Sequence, residues 1–200
     1  MLSANRVLWG VVVLAGVVAG ALLLVLRSPS QASSTASAPA ATWAAGARPA
    51  PTFGLRDQNG KSVSLSAYRG RPVLVTFIDP LCRNYCPLEA KVLAGTHAAI
   101  LAVSASPFGN TRANLVQDMR KWQVGAEWRW AVGSRAQLER VWKAYDVAVL
   151  VTTKTVAGVR VHNVTHTEGA YLIDRNGGER ALFLWPYTGR SVVQALGRLG

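Results

Sequence analysis

Residues 71–90 read RPVLVTFIDPLCRNYCPLEA, and the fold turns on them. The β-branched run up to Ile78 suggests a strand covered on both faces. Helical composition begins at Pro87, a residue suited to a first helical turn because its missing N–H is not needed there. AILAVSAS (99–106) then returns to a buried strand, so the local order is strand, helix, strand. Between the first strand and the helix stand the two cysteines of the chain, Cys82 and Cys86.

The same pattern extends in both directions. TFGLRDQNGKSVSL (52–65) alternates around Asn59-Gly60 and predicts a small hairpin. TRANLVQDMRKWQV (111–124) is a helix capped at Asn110 or Thr111, with Leu115, Met119 and Trp122 at helical spacing. EWRWAVG (127–133) is a short strand. SRAQLERVWKAYDV (134–147) is a helix capped by Ser134 that presents Leu138, Val141, Trp142 and Tyr145 on one face. VAVLVTT looks extended, and KTVAGVRVHNVTHTEG (154–169) reads as a polar, irregular stretch. AYLIDRNGGERALFLW (170–185) is a hairpin around Asn176-Gly177, and the last dozen residues form a closing helix. The expected fold class is α/β, a central sheet flanked by helices.

Pro87 puts Cys86 at or beside a helix N-terminus and Cys82 in the turn before it. The positive end of a helix stabilises thiolates, Arg83 is expected to add to this, and thiolate is the form that attacks disulfides and binds soft metals. A disulfide stapling so small a ring gains little chain entropy, which disfavours a purely structural bond. Two chemistries remain: thiol–disulfide exchange, which usually uses a spacing one residue tighter, and a Cu(I) site with an imidazole as third ligand. Three histidines could supply it. His97 ends the helix that follows the cysteines, while His162 and His166 lie in the irregular stretch that leads back to the sheet.

The ends set the context. Val7–Leu26 is an uncharged apolar run of bilayer length between Arg6 and Arg27, and the nearest Ala-x-Ala, Ala36 to Ala38, lies well downstream. Residues 1–27 are therefore read as an uncleaved membrane anchor. Residues 28–50, rich in Ala, Ser and Pro, are read as a flexible linker with a reach of about 25 Å, and 51–200 as the folded domain. Beyond the anchor stand 20 basic against 10 acidic residues, which favours acidic partners or anionic lipid. The basic residues are scattered rather than massed, and a tether facing outward keeps them from nucleic acid, which excludes it as a partner.

VLVTFIDPLCRNYCPLEA, AVSASP and HTEGAYLIDRNG, in that order and spacing, together resemble the Sco/SenC family of membrane-tethered, thioredoxin-like copper proteins. The resemblance runs from about Pro51 to the end. It implies a thioredoxin-like fold and a copper site made by Cys82, Cys86 and His166, the histidine five residues before Tyr171. It also implies a domain on the outer side of the membrane that delivers copper to the CuA centre of cytochrome c oxidase or keeps that centre's cysteines reduced, with a thiol reductase as possible partner.

The sequence departs from the commoner family pattern in two places. Thr165 stands where many members have an acidic residue, which removes a group able to orient the imidazole and raises Glu168 or Asp79 as substitutes. SASPFGNT replaces a more acidic stretch after the second strand. Residues 155–170 hold no proline, whereas thioredoxin-fold oxidoreductases resemble one another in a cis-proline at that place. Copper handling is the favoured reading, and thiol–disulfide oxidoreduction by Cys82 and Cys86 the alternative.

Overall fold

The computed structural model describes residues 38–199. The expected anchor and the first part of the linker lie outside these residues. Among the described residues, no helix is long and apolar enough to cross a membrane.

In chain order the elements are β1 (Ala41–Thr42), β2 (Gly54–Arg56), β3 (Ser62–Ser64), β4 (Val73–Ile78), α1 (Tyr85–Ala94), β5 (Ala99–Ser104), α2 (Arg112–Lys121), β6 (Trp128–Ala131) and α3 (Arg135–Ala144). They continue with β7 (Val149–Val156), β8 (Val159–His166), β9 (Gly169–Ile173), β10 (Glu179–Leu184) and α4 (Gly189–Gly197). The main sheet runs β1-β10-β9-β4-β5-β6. β4, β5 and β6 are parallel, and from β4 outward β9, β10 and β1 each pair antiparallel with the strand before. β4 and β5 are central and buried at every residue, which is why neither shows polar alternation.

Alternate residues of β4 serve two cores. Val73, Val75 and Phe77 pack with α3 residues Leu138, Val141 and Trp142, whereas Leu74 and Ile78 pack with α1, α2 and α4. The helices form where the periodicity places them. Ser134 and Gln137 make a reciprocal capping box at α3, and Thr111 caps α2 by accepting from Asn114 N–H. Trp142 Nε1–H donates to the Ser104 carbonyl at 2.9 Å and locks α3 onto the end of β5.

Two expectations need correction. The folded domain begins ahead of residue 51: β1 pairs with β10, Ala50 N–H bonds the Gly177 carbonyl at 3.0 Å, and Arg48 pairs with the buried carboxylate of Glu179. A strand of two residues has no period, so this segment looked like linker. The stretch 154–169 is also not irregular. β7 and β8 form a regular antiparallel hairpin in register Val149↔His166 to Val156↔Val159, closed by Ala157 and Gly158, both at positive φ. Positive φ at both central residues is the two-residue turn that suits a twisted hairpin. Most of the hairpin is exposed among the described residues, and Thr152, Lys154, Arg160 and Asn163 interleave with the exposed Leu150, Val156, Val159 and Val161, so the stretch shows no clean apolar alternation.

Gly169 opens β9 directly after the hairpin. A Cβ there would collide with the Phe183 carbonyl oxygen on β10. Gly169→Ala is expected to destabilise the domain by about 1–3 kcal/mol, the usual cost of overpacking, in urea unfolding monitored by tryptophan fluorescence. An unchanged midpoint would contradict the close approach of these strands.

Candidate metal centre

The parallel strands end where the cysteines begin. Asp79 Oδ1 accepts from Leu81 N–H at 2.9 Å and the Asp79 carbonyl from Cys82 N–H at 3.1 Å, which folds the chain into a tight turn after β4. Asn84 is the N-cap of α1 but makes no side-chain cap bond. The sulfur of Cys82 takes that place, 3.5 Å from the Cys86 N–H. Cys86 lies in the first turn of α1, fully buried, and Cys82 is half-exposed in an open cleft.

This arrangement separates the two thiols. A hydrogen bond from the Cys86 thiol lowers the pKa of Cys82 to about 5. Burial opposes the shift, and the backbone N–H groups of Cys86, Asn84 and Tyr85 reinforce it. For Cys86, that same hydrogen bond, burial and the charge on Cys82 push the thiol up, so it keeps its proton at neutral pH. Arg83 is not the source of the effect: its guanidinium reaches the Pro80 and Cys82 carbonyls and the buried Asp118 of α2.

His166 ends β8 and brings its Nε2 to 3.6 Å from Cys86 Sγ. Its Nδ1 lies 3.0 Å from the Thr167 carbonyl. A carbonyl can only accept, so Nδ1 carries the proton and Nε2 offers its lone pair on the side of Cys86. This backbone acceptor fills the orienting role left open by Thr165. Asp79 is committed to its own turn. Glu168 instead points at the sulfurs: one of its carboxylate oxygens and the Sγ atoms of Cys82 and Cys86 all lie within 4.8 Å of one another. Two donors each about 2.3 Å from one ion are at most about 4.6 Å apart, so a small contraction would seat a metal.

The other histidines are engaged elsewhere. His162 stacks on Phe108, ring centroids 3.9 Å apart and planes 7° from parallel, with Nδ1 2.9 Å from Thr153 Oγ1. Four strand residues, about 13 Å, separate it from His166. His97 follows the far end of α1, about 15 Å along the helix from Cys86.

A further buried group lies one turn along α1. Glu89 is completely buried, its Oε1 accepts from Tyr187 Oη–H at 2.8 Å, the Thr76 hydroxyl is 3.1 Å away, and Oε2 has no partner among the described residues. Burial raises its pKa to about 7 against the Tyr187 and Thr76 hydrogen bonds. Its position in a helix that otherwise reads as apolar core hid it from sequence reading.

A family model described as SCO1/SenC matches residues 43–199. The chain belongs to the SCO1/SenC family. No curated protein matches the sequence significantly. Among solved structures, copper-bound ScoI of Bradyrhizobium japonicum is similar, with 22% identity over 76% of this chain and 99% of its own, and a TM-score of 0.65. Copper-bound yeast Sco1 shares 18% identity over 76% of this chain and 87% of its own, with a TM-score of 0.66. BsSco, a member of the Sco family of cytochrome c oxidase assembly proteins in which a disulfide switch was identified, shares 19% over 75% and 92%, with a TM-score of 0.59. This SCO1/SenC chain thus has the mixed α/β fold of the Sco structures, its cysteine turn and histidine converging at one edge.

Two measurements probe the electrostatics. In metal-free, reduced protein, iodoacetamide should alkylate Cys82 with a pH midpoint near 5 and leave Cys86 nearly unreacted at neutral pH, as read by peptide mass spectrometry. Equal rates at the two thiols would show that the site does not polarise them. For Glu89, the folded chain holds a proton up to about pH 7 that the unfolded chain releases near 4.5, so its contribution to stability is full at acid pH and lost as pH rises through about 7. Glu89→Gln should therefore gain on the native chain by on the order of 3 kcal/mol between about pH 4.5 and 8 in urea unfolding. A pH-independent difference would mean that the carboxyl ionises normally.

Proposed function

We propose that this SCO1/SenC chain is a membrane-tethered copper chaperone: Cys82, Cys86 and Nε2 of His166 hold one copper ion as cargo and pass it to the CuA centre of cytochrome c oxidase. The reading rests chiefly on one observation, His166 Nε2 brought to 3.6 Å from Cys86 Sγ by a separate hairpin, with its tautomer set by the Thr167 carbonyl. Disulfide exchange needs no such imidazole, whereas a soft site of two thiolates and an imidazole suits Cu(I). The copper bound to ScoI and yeast Sco1 supports the cargo, and the family of BsSco supports the oxidase as recipient.

Transfer in this reading proceeds by ligand exchange. Cys82, half-exposed and already thiolate near neutral pH, is the ligand an incoming partner reaches first, and the buried Cys86 is released last. Leu81, Tyr85 and Leu88 stand exposed around the cysteine turn and offer the apolar rim that a protein recipient needs. An acidic recipient is drawn by the basic domain, which raises encounter rate more than affinity. Val7–Leu26 would hold the domain on the extracytoplasmic side.

The second reading, thiol–disulfide exchange with CuA cysteines, is favoured by the low pKa of Cys82 beside a resolving thiol and by the disulfide switch of BsSco. Cu(I) competition with a chromophoric chelator, on the reduced full-length chain in detergent, separates the two. One-to-one binding that weakens roughly 100-fold in His166→Ala, about 2.8 kcal/mol, is expected for the chaperone. Weak binding indifferent to that substitution would leave disulfide exchange as the function.

A further inference from the structure

Glu168 occupies one half of the two-residue connection between β8 and β9, and both halves are anchored. Thr167 N–H donates to the Ala148 carbonyl at 2.9 Å, and the Glu168 carbonyl accepts from Trp185 N–H at 3.0 Å. The backbone thus presents the half-buried side chain to the cleft at little further cost in ordering. Its carboxylate lies within 4.8 Å of both sulfurs, yet among the described residues it takes part in no ion pair. Arg83, the nearest cation in sequence to the cysteines, is turned toward Asp118. In a domain with twice as many basic as acidic residues, a carboxylate oxygen that converges with two sulfurs and is paired with no described Lys or Arg forms a donor set for a metal ion.

We propose that Glu168 is a fourth, oxygen ligand of the copper site and biases it toward the cupric ion; this rests on the copper reading above. Two thiolates and one imidazole form a soft, low-coordinate set suited to Cu(I). A carboxylate adds a hard donor and a negative charge, and mixed sets that include N and O donors suit Cu(II). The added charge acts more strongly on the doubly charged ion than on the singly charged one. Glu89 cannot take this role, since it is enclosed in the core and committed to Tyr187.

The test compares the full-length chain with Glu168→Gln, in detergent, after matching their metal-free thermal unfolding. Cu(I) affinity is read by chelator competition, Cu(II) coordination by electron paramagnetic resonance and thiolate-to-copper absorption, and the Cu(II)/Cu(I) potential by redox titration. The expected result is unchanged Cu(I) affinity, an altered copper hyperfine splitting and at least tenfold weaker Cu(II) binding, which raises the potential by about 59 mV or more. Identical resonance spectra and potentials in the two chains would overturn the proposal. So would an equal loss in both oxidation states, which assigns Glu168 a structural role. If the native chain binds neither ion, the copper reading itself fails, and the Cu(I) arm reports that separately.

Discussion

The complete burial of β4 between two cores is the constraint on which the rest depends. Its odd residues meet α3 and its even ones meet α1, α2 and α4, so the strand can neither slip nor turn without moving apolar groups into water. Its end is therefore a fixed point. The Asp79 turn starts there, and α1 must return along the sheet, which puts a helix N-terminus and both cysteines at the strand's carboxyl end. Thr76 on the same strand links the layer below to Glu89 and the Gly169 carbonyl, so the strand, the helix and the segment carrying His166 and Glu168 meet over one residue.

The chemistry of the site comes from unequal environments imposed on like groups. One thiol is half in solvent and receives hydrogen bonds, the other is sealed in the core and donates one. The imidazole is fixed from behind by a backbone carbonyl, which costs the chain no charged side chain. Under the proposed copper reading, such a set leaves the more exposed thiol open to ligand exchange. The same polarity suits disulfide exchange, the second of the two proposed readings.

Much of this was legible because local signals agreed with the global fold. The capping residues Thr111 and Ser134, the turns at Asn59-Gly60 and Asn176-Gly177 and the apolar stripe from Leu138 to Tyr145 each appear where periodicity and turn chemistry place them. The misreadings have physical causes. The stretch 154–169 mixes polar residues with exposed Val156, Val159 and Val161 and turns on Ala157-Gly158, so it lacked both a clean alternation and the familiar turn pair. Arg83 is adjacent to Cys82 in sequence, but its long side chain found a buried carboxylate on another helix.

The sequence alone determined the two cysteines, their place before a helix, the alternating layers and, through the HTEGAYLID resemblance, which histidine to expect beside them. Those depend on contacts between near neighbours or on patterns that every strand and helix repeats. Only the tertiary structure decided that His162 is spent on Phe108, that Thr167 orients His166 and that Glu168 faces the sulfurs. Each of these joins segments dozens of residues apart or depends on the direction of one backbone carbonyl, and neither leaves a periodic trace in a chain read residue by residue.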